Sequence, residues 1–172
     1  GIAVGLGQLA VDPTGRYYLS EQNQKLVLGD LREKTSRALS EVPTPDRLAF
    51  FEGTRAGVFV VTKGAGELLA YDIDGQQILF RVPMSGVVGM RSVPGSSHLL
   101  LWTLNELRLI DGQDGKTIAQ HQLNENGLIE DVDIVPDGSR VVLTHATVWT
   151  GEGSEAVPAA RVDVFGSADL GA

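Results

Sequence analysis

Three histidines, His98, His121 and His145, are the side chains best suited to bind a transition metal or to transfer a proton near neutral pH. A metal site needs two or three such ligands converging with carboxylates, and these histidines fall in different predicted strands. The sequence contains no Cys, which removes thiolate ligands and disulfides. The sequence therefore predicts no metal site.

Motifs that mark common catalytic sites are absent. There is no Gly-x-Ser-x-Gly of serine hydrolases, no phosphate-binding Gly-x-x-x-x-Gly-Lys-Ser/Thr loop and no His-Glu-x-x-His of zinc peptidases. The segment Gly64-Ala65-Gly66 is too short for a dinucleotide fingerprint and is interpreted as a hairpin turn. On these grounds the sequence predicts no catalytic residue, no cofactor-binding residue and a protein that is not an enzyme.

The elements that position these residues come from one sequence pattern that occurs four times along the 172-residue chain. It contains an apolar strand, a Pro/Gly turn, a second apolar strand, a turn, a third strand, an Asp/Gly turn and a fourth strand. The residues before the four second strands are spaced 42, 40 and 42 apart, at Gly15, Gly57, Ser97 and Ser139. Such a period indicates a repeat architecture in which each unit buries its faces on its neighbours.

The apolar segments of each repeat are predicted to be strands. They are short, rich in Val, Leu and aromatic residues, and separated by Gly, Pro and Asp. Residues 58–61 and 99–102 are apolar on both faces, as is typical of a strand between two neighbouring sheets. A β-sandwich would also have short strands, but recurrence of the whole pattern favours radially repeated blades. The predicted fold is all-β, with four consecutive four-stranded antiparallel blades at about residues 6–43, 45–84, 86–123 and 128–166.

Four stretches resemble known blade sequences. Residues 11–17 (Val-Asp-Pro-Thr-Gly-Arg-Tyr) and 135–140 (Val-Pro-Asp-Gly-Ser-Arg) resemble the opening of WD-repeat and YVTN-type blades. Leu28-Gly29-Asp30-Leu31 is similar to the Trp-Asp position, and residues 110–116 resemble the third turn of YVTN and quinoprotein-like repeats. The resemblance covers nearly the whole chain and implies a β-propeller. Gly29 replaces the tryptophan, and the tryptophan-docking signature of quinoprotein blades is missing, so no bound quinone is implied.

The first strands of the repeats would line the central channel of such a propeller. They carry side chains of mixed charge, which suit salt-bridged or solvated channel walls better than a cation cage. The acidic stretch at residues 125–133 is interpreted as a solvated edge. The channel residues in question are Gln8, Arg47, Arg91, Asp131 and Asp133.

Blades of this length usually close as rings of six to eight, so the four blades are predicted to be part of a larger ring. Four alone would leave apolar sheet faces uncovered. The ring could be completed by a missing segment or by another chain, and a closed four-bladed ring is a third arrangement. The last blade has no fourth strand of its own after Phe165, and residues 1–5 could supply one.

An insertion in the last repeat is the best functional clue. Between the second and third strands, Leu143 and Val162 are 19 positions apart, whereas the other repeats use six or seven. Residues 145–160 are predicted to form a hairpin extended beyond the ring, with Trp149 near its tip. Buried aromatic anchors dominate protein interfaces, although Trp149 could instead pack onto its own blade. The candidate partner-binding residues are Trp149, Val148, Glu152 and Glu155.

Charge and hydropathy limit the partners. A net charge of -8 disfavours nucleic acid and anionic membrane surfaces, and no apolar run approaches the ~20 residues that span a bilayer. The predicted function is a non-enzymatic scaffold for protein partners, within a larger complex. The alternative is a propeller enzyme, lactonase-like or quinoprotein, whose site lies partly outside this chain. A sugar- or peptidoglycan-binding propeller is a third possibility.

If Trp149 anchors a partner, Trp149→Ala should weaken the complex while leaving the fold intact, because an exposed anchor contributes to binding and not to the core. Circular dichroism and thermal unfolding report on the fold, and co-purification reports on the complex. Loss of folding would show instead that Trp149 packs on its own blade.

Overall fold

The computed structural model describes residues 9–64, 66–124, 127–147 and 159–171. Within these ranges the chain forms 15 strands and no helix, so no described helix could cross a membrane. The prediction of an all-β chain is confirmed. The strands are β1 (Leu9–Val11), β2 (Tyr17–Gln22), β3 (Lys25–Asp30), β4 (Thr35–Ala38), β5 (Pro45–Phe50), β6 (Gly57–Thr62), β7 (Glu67–Asp72), β8 (Gln77–Pro83), β9 (Gly89–Ser92), β10 (His98–Trp102), β11 (Glu106–Asp111), β12 (Thr117–Gln122), β13 (Gly127–Ile134), β14 (Arg140–Thr147) and β15 (Ala159–Gly166).

The described strands form four antiparallel sheets, each built from consecutive strands. Sheet 1 has the order β1-β2-β3-β4, sheet 2 the order β5-β6-β7-β8, and sheet 3 the order β9-β10-β11-β12. Sheet 4 contains β13-β14-β15. Within each sheet, every strand therefore pairs with its neighbour in sequence, as expected of propeller blades.

Sheet 4 has three strands in the described part of the chain. Residues 1–5, which could supply its fourth strand, lie outside the described residues. The segment after β15 turns back instead of continuing as a strand. The N–H of Leu170 donates to the carbonyl of Gly166 (3.0 Å), and the N–H of Gly166 donates to the carbonyl of Gly171 (2.6 Å). The side chain of Leu170 is buried in the core, which favours this turn over an exposed fourth strand.

The chain divides into two compact units. The first comprises Gly1–Ser85 with Gln113–Gly115, and the second comprises Gly86–Gly112 with Lys116–Ala172. Sheets 1 and 2 lie in the first unit and sheets 3 and 4 in the second.

Each unit has its own apolar core where two sheets pack face to face. In the first unit Leu19 and Leu28 of sheet 1 share a core with Val60 and Tyr71 of sheet 2, and all four are nearly fully buried. Burying one such side chain stabilises the folded state by roughly 1.5–3 kcal/mol. In the second unit the corresponding core includes Leu100, Leu107, Leu109, Val132, Val141 and Leu143.

In sheets 1, 2 and 3 an aromatic ring covers a glycine on the hydrogen-bonded neighbouring backbone. Tyr18 of β2 pairs with Gly29 of β3, and a Cβ placed on Gly29 would lie 1.9 Å from the Tyr18 ring. Gly29, which stands at the Trp-Asp position, therefore makes room for an aromatic ring from the adjacent strand. The same arrangement occurs for Gly57 with Phe51 and for Gly89 with Trp102.

Gly29→Ala should destabilise the chain by about 1–3 kcal/mol, because the new methyl group overlaps the Tyr18 ring. Chemical denaturation measures the free energy of unfolding. In the double variant Tyr18→Ala with Gly29→Ala the overlap is gone, so its loss should be smaller than the sum of the two single losses. Additive losses would contradict the steric account.

Candidate functional site

In sheets 1 and 2 the turn before the second strand and the turn after the third strand lie at the same end of the sheet, because the strands are antiparallel. In sheet 1 the register places Tyr17 opposite Asp30, and Asp30 opposite Thr35. In sheet 2 it places Gly57 opposite Asp72. The charged and aromatic residues at the ends of these strands are thereby brought together within the first unit.

A groove runs along this end of the first unit. It consists of two adjoining clefts of about 230 and 300 Å³, and Tyr17, Ile73 and Asp74 line both of them. We call it the turn groove. Its other lining residues are Asp12, Pro13, Thr14, Arg16, Leu28, Asp30, Thr35, Ser36, Arg37, Phe50, Phe51, residues 53–57 and Gln76.

The first wall of the turn groove is the turn between β1 and β2. The buried carboxylate of Asp12 accepts hydrogen bonds from the backbone N–H groups of Tyr17 (2.6 Å) and Thr14 (3.2 Å), and from the Thr14 hydroxyl. Gly15 closes the turn with a φ of 72°, a conformation that favours glycine. The Asp-Pro-Thr-Gly sequence therefore holds this wall by local hydrogen bonds.

Arg16 is one of three arginines that line the turn groove. Its Nε and Nη2 both donate to Asp30 Oδ2, at 3.1 and 2.9 Å. Asp30 also accepts the backbone N–H groups of Arg32 (2.9 Å) and Glu33 (3.1 Å). The Arg16 guanidinium lies 4.7 Å from the centre of the Tyr17 ring, within cation–π range. Two partners therefore fix the direction of this partly exposed side chain.

The ion pair with Arg16 lowers the pKa of Asp30 below its usual value, and the backbone hydrogen bonds act in the same direction. The same pair raises the pKa of Arg16. Both groups are therefore charged throughout the physiological range.

Arg55 is the second arginine and comes from the longer turn between β5 and β6. It forms an ion pair with Asp72, whose side chain is 4% exposed, while Arg55 itself is half exposed. Burial opposes the ionisation of Asp72, but the hydrogen bonds from Arg55 and from the backbone N–H of Gly75 outweigh it and lower the pKa. Sheet 2 thus repeats the arrangement of sheet 1: an arginine near the start of the second strand is held by the aspartate that ends the third.

Aromatic side chains form the floor of the turn groove. Tyr17, Phe50 and Phe51 line it and are at most 8% exposed, whereas Thr54 and Asp74 stand exposed at its rim. At its far end Arg37 donates from both terminal nitrogens to the Tyr71 hydroxyl (3.2 Å each). Burial raises the pKa of Tyr71, so the phenol stays neutral and can accept these bonds.

The turn groove has the chemistry of an interaction site for a side chain or short loop. Arg and Tyr are enriched among residues that dominate protein interfaces. The lining carries three arginines (Arg16, Arg37 and Arg55) and three aspartates (Asp12, Asp30 and Asp74), so it has no net charge.

The sequence-predicted partner-binding residues Trp149, Val148, Glu152 and Glu155 lie outside the described residues, as does Gln8. The insertion that carries the four partner-binding candidates joins Thr147 of β14 to Ala159 of β15. In sheet 4 that connection is at the opposite strand ends from the turn at 135–139. The prediction for these side chains remains a prediction.

Two histidines and two predicted channel residues of the second unit have local partners. His145 Nε2 lies 2.9 Å from Asp163 Oδ2, and the His121 ring packs 4.6 Å from the Phe165 ring. Across the described ranges no group of three His, Asp or Glu side chains could hold a metal ion. Among the predicted channel residues, Arg91 lies 3.5 Å from Asp133, and its Nε donates to the carbonyl of Val132 (3.0 Å).

Comparison with known proteins rests on structure. No family model matches the sequence. No curated protein matches it either. Hydrazine synthase of Kuenenia stuttgartiensis aligns with a TM-score of 0.63 at 16% identity, over 92% of this chain and 50% of that one. The dihydro-heme d1 dehydrogenase NirN gives 0.62 at 18%, over 92% and 39%, and BamB from Moraxella catarrhalis gives 0.57 at 10%, over 95% and 46%.

The chain has a β-propeller fold. It spans half or less of the length of these three structures, so it matches a part of each propeller protein. The resemblance that the repeat sequences suggested is confirmed at the level of fold.

The prediction that the protein is not an enzyme was wrong. It inferred an absence of activity from the absence of motifs, yet hydrazine synthase and NirN are enzymes and share this fold. The physical reason is that a fold does not fix function, and reacting groups can come from separate loops or from a cofactor without forming a compact motif.

Asp30→Asn should flatten the acid side of the stability–pH curve. The folded pKa of Asp30 is lowered, so its pair with Arg16 stabilises the fold above the unfolded pKa of about 3.9 and is lost as the pH falls through the lower folded value. Thermal unfolding from pH 2 to 7 measures this. Asp74→Asn, at the exposed rim, is the matched control and should leave the curve close to wild type.

Proposed function

We propose that the chain is a protein-interaction module of a β-propeller, and that the turn groove binds a loop or an extended segment of a protein partner. The observation that carries this is the pair of half-exposed arginines, Arg16 and Arg55, each fixed by a carboxylate beside the aromatic floor of Tyr17, Phe50 and Phe51. Such a set can receive an apolar anchor and hydrogen-bond the polar groups around it.

The fixed geometry of the groove supports binding. Arg16 is held by two hydrogen bonds to Asp30 and by the Tyr17 ring, so little side-chain freedom is lost when a partner binds. The Asp12 carboxylate fixes the adjacent turn through three hydrogen bonds. Preorganisation of this kind strengthens a small interface without adding contact area.

The charge of the chain supports a protein partner. With a net charge of -8, the chain would repel the phosphates of nucleic acid and of anionic lipid surfaces. Residues 145–160 are proposed as a second contact surface, with Trp149 as its anchor. The grounds are the extra length of this connection and the ability of an aromatic side chain to anchor an interface. Blades in addition to these four, from another part of the molecule or from another chain, would place both surfaces in a larger assembly.

A second candidate is a propeller enzyme whose site includes blades in addition to these four. Two of the aligned structures are enzymes, and this favours the candidate at the level of fold alone. Elemental analysis for bound metal and an absorbance spectrum for a bound cofactor test it on the purified protein. A stoichiometric signal in either measurement would favour it over the interaction module.

The groove can be tested by photo-crosslinking at its rim. A photoreactive residue at Thr54 should capture one recurrent protein in cells of the source organism, because Thr54 is exposed beside Arg55. The same residue at Lys63, which is exposed at the opposite end of sheet 2, is the control and should not capture it. Equal capture from both positions would contradict the proposed site.

The arginines can then be tested on the captured partner. Arg16→Lys with Arg55→Lys keeps the charges that Asp30 and Asp72 require but removes the planar fork, so affinity should fall about tenfold with little loss of stability. Isothermal titration measures the affinity. Arg81→Lys, which changes an equivalent exposed pair with Glu67 outside the groove, should bind like wild type. Unchanged affinity of the double variant would exclude the arginines from the interface.

A further inference from the structure

Two valines on β15 are exposed at positions that are buried in every other sheet. Val162 is 62% exposed and Val164 is 43% exposed. The equivalent third-strand residues, matched by strand register, are at most 5% exposed: Leu26 and Leu28 in sheet 1, Leu68 and Ala70 in sheet 2, and Leu107 and Leu109 in sheet 3.

Strand pairing shows that the valines belong to one continuous sheet face. Val164 lies opposite Val142 and Val162 lies opposite Thr144, and both β14 residues are only half buried. We call these four residues the valine face. The other side of sheet 4 carries Val141 and Leu143, which are fully buried in the core of the second unit.

Within each unit the equivalent face is covered by the next sheet. Leu26 and Leu28 of sheet 1 pack in one core with Val58, Val60 and Tyr71 of sheet 2. Leu107 and Leu109 of sheet 3 pack in the same way with Val141 and Leu143 of sheet 4. In both units, therefore, the face that is equivalent to the valine face packs against the opposite face of another blade.

Sheet 1 presents that kind of surface. Tyr18 pairs with Gly29 and Ser20 pairs with Val27, on the side of sheet 1 that does not face sheet 2. Tyr18 and Val27 are only half buried, whereas the residues of sheet 2 at the same register, Val58 and Leu69, are fully buried. The face of sheet 1 that carries Tyr18 and Val27 is thus the complement of the valine face.

We propose that the valine face of one copy of this chain packs on the Tyr18–Val27 face of a second copy. The support is that one chain carries both halves of a contact that it already makes twice, within each of its units. The pairing is head to tail, and its smallest closed form, in which two copies use both faces of both chains, is a dimer. The faces do not include the groove residues Arg16 and Arg55, so this inference is independent of the proposed function.

The mass of the particle in solution tests the proposal. Light scattering at tens of micromolar chain should give the mass of two copies. Val162→Asp with Val164→Asp places two charges in the contact and should raise the dimer dissociation constant by at least about 100-fold, and Val27→Asp on the other face should do the same. Circular dichroism confirms that the variants fold. Leu31→Asp and Leu104→Asp change exposed leucines (53% and 59%) outside both faces and should remain dimeric.

Cysteine pairing tests the direction of the contact. The chain has no Cys, so each introduced thiol is unique. A mixture of Val164→Cys and Val27→Cys copies should be joined by a short bifunctional maleimide, whereas Val164→Cys alone should not join to itself. A monomeric wild-type chain, a dimer that survives Val162→Asp with Val164→Asp, or efficient joining of Val164→Cys copies to each other would each overturn the proposal.

Discussion

Face-to-face burial of the second and third strands is the interaction on which both units depend. In the first unit Leu19 and Leu28 meet Val60 and Tyr71, and in the second unit Leu100 and Leu109 meet Val141 and Leu143. Hydrogen bonds join the strands within a four-stranded meander, but they leave its two apolar faces exposed. Packing against a neighbouring sheet removes these faces from water. The repeat of about 42 residues in the sequence reflects this need of each sheet to pack against a neighbouring one.

The turn groove follows from this packing. Once two sheets are held face to face, their turns meet at one end, and the width of the gap depends on what the turns carry. In sheets 1 and 2, the aspartates that end the third strands hold Arg16 and Arg55 in fixed positions beside aromatic rings. In the second unit the corresponding turns pack closely against each other. Gly138 lies so near Pro94 that a Cβ on it would be 2.4 Å from the carbonyl oxygen of Pro94. The same blade plan thus yields an open groove in one unit and closely packed turns in the other.

Fold and function separate clearly in this molecule. Propeller structures that align with the chain include two enzymes and BamB, at 10–18% identity, so the shared property is the stacking of small sheets. The repeat residues that build the stack are therefore weak guides to activity. Side chains at strand ends and in turns vary freely against that background, and they decide what each propeller binds.

The sequence by itself determined the all-β class, the four repeats and the strands, because apolar alternation and Gly, Pro and Asp turns act over a few residues. It also indicated an Asp/Gly turn after each third strand, but nothing local joined Asp30 and Asp72 to Arg16 and Arg55. Those pairs, the aromatic floor and the exposure of Val162 and Val164 were decided by tertiary structure alone. They depend on which sheet lies against which, and that long-range information is not contained in any short stretch of the chain.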